Sequence, residues 1–206
     1  ASQSVGKSTA TNLLKSEDVL NTIKCLKKLG VKISLFKNKC EIYGLGINGY
    51  KYKKNIILNA GNSGTLARLI MGLLVHSKNK IKIIGDKSLS KRDFKRVTDP
   101  LSKFGAKFKF KKKHILPLTI SGSSKLNSIK YIEKRGSAQC KSSVIFVAMK
   151  ARGTTIIKAK KSRNHTELLC KYLGLPVLVK HKKTYDEINI KQIKKIKTLN
   201  YNIPSD

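Results

Sequence analysis

Asn59-Ala-Gly-Asn-Ser-Gly-Thr-Leu-Ala-Arg68 joins two different periodicities. Before it, Asn55-Ile-Ile-Leu58 is a short apolar run of strand type. After it, Leu66, Leu69, Ile70, Leu73 and Leu74 recur at helical spacing, so a helix is expected to open near Thr65. Gly61 and Gly64 permit a tight turn and let a ligand approach the backbone. A turn of this composition leaves free N–H groups at the positive end of the helix dipole, where anions bind. Arg68 lies one turn inside. Taken alone, such a stretch is more often a plain capped helix, so its meaning depends on what surrounds it.

Working outward, the same pattern recurs. Upstream, Ser16 is a plausible N-cap, Glu17 and Asp18 fall in a first turn, and Val19, Leu20, Ile23, Leu26 and Leu29 form an apolar stripe that Gly30 stops. Strands 31–36 and 40–43 follow as a hairpin around Lys37-Asn38-Lys39. Downstream of the Thr65 helix come strand 80–84, then a helical stretch with Phe94, Val97, Leu101 and Phe104 ending at Gly105, and strands 107–111 and 116–121. Pro100 is expected to kink that helix. A further round has strand 128–132, a helix from Ser137, strand 154–159, a helix from Asn164 ending at Gly174, and strands 177–180 and 187–190. The helix-stopping glycines Gly30, Gly105 and Gly174 are 75 and 69 residues apart. That spacing predicts an α/β lobe of three βαβαββ repeats, over about 1–54, 55–124 and 125–200, with 201–206 starting a crossover. The first copy lacks its opening strand and helix, so the chain is expected to be cut at the front, and also at the back.

The residues before Ser16 hold a false lead. Gly6-Lys7-Ser8 mimics the end of a phosphate loop, but Ala1 stands where the first glycine belongs and no strand precedes it. The expectation is a helix end, a turn at Gly6 and a strand over 8–14. The repeat also locates function. The two helix N-termini and the polar loops after the next strands occupy equivalent positions. One end of the lobe is therefore expected to gather Gly64, Thr65, Arg92, Ser137, Gln139, Ser162 and Arg163. Converging helix N-termini, guanidinium forks and hydroxyls suit a phosphorylated, carboxylated ligand.

The chain has 206 residues and a formal net charge of +34, which raises the alternative of a basic nucleic-acid-binding module. The lysines are spread over every segment and aromatics are few, so specific nucleic-acid binding is not expected. Only six arginines occur, at 68, 92, 96, 135, 152 and 163, and three fall in the motifs. Lysine does not replace arginine where a planar fork must grip a carboxylate or phosphate. No apolar run reaches the roughly 18 residues of a membrane span. Cys25, Cys40, Cys140 and Cys170 show no paired spacing and read as reduced, partly buried thiols of a cytoplasmic protein. His76, His114, His165 and His181 show no metal spacing.

Four stretches in this order, namely Asn62-Ser-Gly-Thr65, the run from Gly85-Asp-Lys-Ser-Leu-Ser-Lys-Arg92 to Gly105-Ala106, Ser137-Ala-Gln139 and Ser162-Arg-Asn-His-Thr-Glu167, resemble the EPSP synthase (3-phosphoshikimate 1-carboxyvinyltransferase) family. The resemblance runs from about Gly6 to Ile203-Pro-Ser-Asp206. It implies an enolpyruvyl-transferase-like fold of two lobes with the site in the cleft. It also implies transfer of the enolpyruvyl group of phosphoenolpyruvate to the 5-hydroxyl of shikimate 3-phosphate, a step toward chorismate and the aromatic amino acids. The family works without metal or organic cofactor, by addition and then elimination. Carried over residue by residue, Gly64, Arg92 and Gln139 would meet phosphoenolpyruvate. Ser137, Ala138, Gln139, Ser162 and Arg163 would hold shikimate 3-phosphate. Asn62, Thr65 and Arg68 would support the turn and its charge, while Lys141, His165 and Glu167 read as structural. No catalytic group is expected in this chain, because the family's Lys-Ser-x-Ser-His-Arg stretch would precede Ala1 and the second lobe would follow Asp206. The full-length enzyme is expected to be monomeric and, with glycine at 64, sensitive to glyphosate. Two departures stand out. Asp93 replaces the family's proline and could pair with Arg92, and Asn164 stands where many members have aspartate. UDP-N-acetylglucosamine enolpyruvyl transferases share the fold but carry a reactive cysteine in the loop that here reads Lys87–Arg92, where there is none. RNA 3′-phosphate cyclases share the repeat without these motifs.

Overall fold

The computed structural model describes residues 1–204. Strand β1 (Val5–Thr11) is followed by helix α1 (Glu17–Lys28) and strands β2 (Lys32–Leu35) and β3 (Lys39–Leu45). The second round is β4 (Ile56–Asn59), α2 (Gly64–Leu74), β5 (Ile81–Ile84), α3 (Lys95–Ser102), β6 (Lys107–Lys112) and β7 (Ile115–Ser121). The third is β8 (Lys130–Glu133), α4 (Ala138–Ala148), β9 (Thr154–Lys160), α5 (His165–Tyr172), β10 (Val177–His181) and β11 (Tyr185–Lys191), after which β12 (Asn200–Asn202) ends the regular structure. Gly30, Gly105 and Gly174 all take positive φ at the helix stops, as the repeat requires.

The second and third rounds each fold into their own four-stranded sheet. The orders are β4-β5-β7-β6 and β8-β9-β11-β10. In both, the opening strand lies parallel to the next, and the hairpin pairs antiparallel beyond it. The first sheet has the order β12-β1-β3-β2. Its opening place is thus filled from the far end of the chain, with Thr9, Ala10 and Thr11 registered against Asn200, Tyr201 and Asn202 in parallel. Of residues 201–206, read as the start of a crossover, Tyr201 and Asn202 therefore belong to a strand; Ser205 and Asp206 lie outside the described residues.

Helices α2 and α4 are buried nearly all round: they pack on each other, α3 lies against both, α1 lies against α2, and strands β9 and β11 of the third sheet back α4. This explains why both read as apolar on most faces rather than on one stripe. The core runs continuously through Leu66, Ile70, Met71, Leu74, Phe94, Phe104, Val144, Ile145 and Ile188. Where the two inner helices cross, Gly72 backs onto the Ser143 carbonyl, leaving no room for a Cβ. The outward faces are lysine-rich. In Lys107-Phe-Lys-Phe-Lys-Lys112 the phenylalanines turn in and the lysines out, at strand period. All four cysteines are free and buried, and burial pushes the Cys25 and Cys170 thiols up to about 11. Among the described residues no helix is long and apolar enough to cross a membrane.

Three expectations are corrected. The first strand is Val5–Thr11, not 8–14, and Gly6 lies inside it, opposite Gly44, with φ +108. The preceding residues form a turn closed by the Ser4 amide on the Ala1 carbonyl, not a helix end. Pro100 falls in the last turn of the eight-residue α3, which ends at Ser102, so there is little helix beyond it to bend.

Candidate anion-binding site

Helix α2 starts at Gly64 because Ser63 caps it, its Oγ accepting from the Leu66 amide at 3.2 Å. The turn before it is held by Asn59 Oδ1, which accepts from the Gly61 amide at 2.9 Å. Asn62 extends the brace to the loop after β5. Its Nδ2 donates to Asp86 Oδ2 at 2.7 Å, and its Oδ1 accepts from Arg92 Nη2 at 3.2 Å. Asp86 Oδ1 also takes the Leu89 amide at 2.7 Å, fixing the loop that presents Arg92. Asp86 and Ser63 are therefore working members of the site that the motif reading passed over. The signal for Ser63 was a hydroxyl three residues before Leu66, on the boundary of the helical period.

Arg68 is 5% exposed and lies over the Phe94 ring, 5.4 Å from its centre. Its Nη1 donates to Gln139 Oε1 at 2.7 Å, and Gln139 Nε2 donates to Thr65 Oγ1, also at 2.7 Å. Gln139, on the first turn of α4, is thereby clamped to the first turn of α2. Thr65 does not hold its own turn, as expected from sequence; it holds Gln139. Both guanidinium groups converge on Gly64: a Cβ there would meet Arg68 Nη1 at 2.8 Å and Arg92 Nη1 at 2.9 Å. Burial, and then the neighbouring charge of Arg96, lower the Arg68 pKa from its ordinary value. Arg68 Nε and Arg96 Nε are buried without hydrogen-bond partners. Among the described residues no carboxylate forms an ion pair with Arg68 or Arg92. Asp93 does not pair with Arg92; its Oδ1 accepts from the Lys95 amide at 2.7 Å and so starts α3. Arg92 is thus not in a direct ion pair among the described residues, and this end of α2 gathers two guanidinium groups beside a helix N-terminus.

The α4 side is built alike. Ser137 caps the helix, accepting from the Cys140 amide at 3.3 Å. Glu133, 5% exposed at the end of β8, receives the Arg135 amide at 3.1 Å and the Ser137 amide at 2.9 Å. It sets the turn that aims the Ser137-Ala138 backbone. Glu133 was not anticipated, although a carboxylate four residues before a cap is a readable signal. Ser162 and Arg163 lie in the loop feeding α5. The first turn of α5 is tied to α4 by the Ser142–Thr166 hydroxyl contact at 2.7 Å and by Lys141 Nζ against Glu167 Oε1 at 2.6 Å. Ser162 Oγ is buried without a partner and Arg163 is exposed. The structure thus brings Asn62, Gly64, Thr65, Arg68, Arg92 and Gln139 into one connected network. Ser137 and Ala138 share the helix turn of Gln139, and no side-chain contact among the described residues joins Ser162 or Arg163 to that network.

A repeat-built α/β lobe with two helix N-termini, two guanidinium groups and a cap hydroxyl at one end has the donor set of a candidate anion site. The comparisons make the assignment particular. The chain belongs to the EPSP synthase (3-phosphoshikimate 1-carboxyvinyltransferase) family, whose profile matches residues 1–206. It is 39% identical over 207 residues to the 3-phosphoshikimate 1-carboxyvinyltransferase of Caldicellulosiruptor bescii, covering 98% of this chain and 46% of that protein. It is 40% identical over 172 residues to the enzyme of that name from Bacillus subtilis, covering 82% of this chain and 40% of that protein. A solved EPSP synthase from Acinetobacter baumannii superposes with a TM-score of 0.91 at 32% identity, covering all of this chain and 46% of that one. The chain thus spans about half the length of the relatives it matches.

Proposed function

We propose that this chain is one lobe of a two-lobe, cytoplasmic, monomeric enzyme. The enzyme transfers the enolpyruvyl group of phosphoenolpyruvate to the 5-hydroxyl of shikimate 3-phosphate, releasing inorganic phosphate. The observation that carries the reading is the convergence of Arg68 and Arg92 on Gly64, with Gln139 clamped alongside. In this reading the Arg92 fork takes the phosphate of phosphoenolpyruvate, and Gly64 keeps its backbone open to that ligand. Gln139 stands between the two substrates. The Ser137-Ala138 turn, Ser162 and Arg163 take the phosphate of shikimate 3-phosphate, with the unpartnered Ser162 Oγ supplying a donor. The proton-transfer groups belong to the other lobe, so this chain alone binds without turning over.

Calorimetry of this chain with shikimate 3-phosphate, in moderate salt, tests the assignment. Weak binding is expected, and Ser137→Ala with Arg163→Ala should weaken it by roughly tenfold or more, since charge-assisted bonds are lost. Binding untouched by the double substitution would sink the phosphate site as placed. Binding of nucleic acid alone, falling steeply with salt, would instead give the charge to a polyanion partner.

Glyphosate is read as an inhibitor that occupies the phosphoenolpyruvate position. In Gly64→Ala the new methyl presses on the ends of two flexible arginines, so the fold should tolerate it while the guanidiniums move off the ligand. The full-length enzyme should then need roughly tenfold more glyphosate for the same inhibition, as an overlap of one methyl group costs about 1–3 kcal/mol. Equal inhibition of parent and variant would count against Gly64 lining that site.

A further inference from the structure

The outer faces of the second and third sheets match row by row. In the third sheet one row across the strands is Ile132, Lys158, Glu187 and Lys180. In the second the same row is Ile57, Lys82, Thr119 and Lys109. The strand third in the first sheet's order also carries a carboxylate, Glu41, which pairs with Lys7 at 3.4 Å and Lys39 at 2.6 Å. An acidic residue between lysines of neighbouring strands offsets their repulsion. The second sheet has a hydroxyl in that place. One row along, Ser121 stands opposite Lys107, and exposed Lys80 precedes β5. No aspartate or glutamate occurs between Glu41 and Asp86, or between Asp99 and Glu133, the stretches that hold all four strands of this sheet. Among the described residues Lys80, Lys82, Lys107 and Lys109 form no ion pair. A depression of about 470 Å³ lies on this face, lined by Lys80, Lys82, Lys109, Asn55, Thr119 and Ser121.

We propose that the outer face of the second sheet binds the phosphodiester backbone of a nucleic acid, without reading its bases. Lysine, serine, threonine and asparagine side chains are the usual partners of phosphate and sugar oxygens. The lysines of each edge, Lys80 with Lys82 and Lys107 with Lys109, are two residues apart. At strand rise that is about 7 Å, so each pair meets successive charges of an extended polyanion instead of one compact ion. The groups that would read or stack bases are missing. Phe108 and Phe110 of β6 turn into the core, which leaves no aromatic platform on this side. Fixed spacing and hydroxyl donors favour a repeating phosphate over an acidic peptide, whose carboxylates have no set period. The face lies across the sheet from α2 and α3. The inference rests on it and not on the substrates proposed above, so either can fail without the other.

The test is anisotropy of a short fluorescein-labelled oligouridylate titrated with the chain over a range of salt. Saturable binding is expected, with log affinity falling against log salt at a slope of about −3, the value for four phosphates on a single strand. An oligoadenylate should bind alike. Lys82→Glu with Lys109→Glu should weaken binding at least tenfold and roughly halve the slope, as two of four contacts are lost. Lys158→Glu with Lys180→Glu changes the net charge equally on the matching row of the third sheet, and should leave affinity within about twofold. All four side chains are exposed, so both variants should keep the parent's circular dichroism and melting temperature. No saturable binding overturns the proposal. So does equal weakening in the two variants, which would give the affinity to net charge and not to this face. Tighter binding of polyglutamate or of anionic phospholipid vesicles, lost in Lys82→Glu with Lys109→Glu, would give the face to an acidic protein or a membrane and overturn it too.

Discussion

Lys141→Ala is expected to lower the unfolding free energy by about 3–5 kcal/mol, the cost of stranding one member of a buried ion pair. Lys141 is fully buried and Glu167 nearly so, and their contact at 2.6 Å is close without being aligned as a hydrogen bond. Its strength is therefore Coulombic. Removing the ammonium leaves a carboxylate in the core with no counter-charge. Lys141→Met combined with Glu167→Leu should recover most of the loss, because an apolar pair of similar volume has no charge to desolvate. Urea unfolding of the single and double variants reads both numbers. A Lys141→Ala chain within about 1 kcal/mol of the parent would mean that the charges are not buried together in solution. The pair also ties the first turn of α4 to the first turn of α5. The single variant should therefore loosen Ser162 and Arg163 relative to Gln139, and weaken phosphate binding beyond its effect on stability.

Gly72→Ala should destabilise the chain by about 2 kcal/mol. Overpacking at a rigid contact costs about 3 kcal/mol, and the better helix propensity of alanine returns about 1 kcal/mol of it. The added Cβ would collide with the Ser143 carbonyl, which is backbone and cannot swing aside. Helices α2 and α4 must separate instead. Their N-termini carry Thr65 and Gln139, so the 2.7 Å bond between those side chains should be lost even in the folded variant. Thermal unfolding together with phosphate titration checks this. A variant as stable as the parent, with unchanged binding, would show that the crossing has slack the structure does not display.

Much of this architecture was legible in the sequence, because the deciding residues act locally. Gly30, Gly105 and Gly174 stop helices through their own φ, and Ser16, Ser63 and Ser137 cap through their own hydroxyls. Strand β12 was not legible. Asn200-Tyr201-Asn202 is short, polar and exposed, and pairs only because β1 offers an edge. The first strand was misplaced because a glycine at position 6 looks like a turn until Gly44 is seen opposite it. In the site, the residue types of the motifs were readable, but the partnerships were not. Nothing in the spacing of Thr65, Arg68 and Gln139 says that one amide bridges the other two, or that Asp93 would turn from Arg92 to a backbone amide. Those choices depend on how two helices far apart in sequence cross.

The pairing of β12 with β1 also sets an order of events during synthesis. The second and third sheets are made of neighbouring segments and can form as soon as each emerges from the ribosome. The first cannot, since its opening place waits for residues 191 positions downstream of Thr11, the separation spanned by the Thr11–Asn202 side-chain bond. At about 5–20 residues per second, the nascent chain holds an unpaired edge of β1 for roughly 10–40 s before its partner strand exists. The exposed edge carries Lys7 and is short, features that discourage pairing with other chains during that wait.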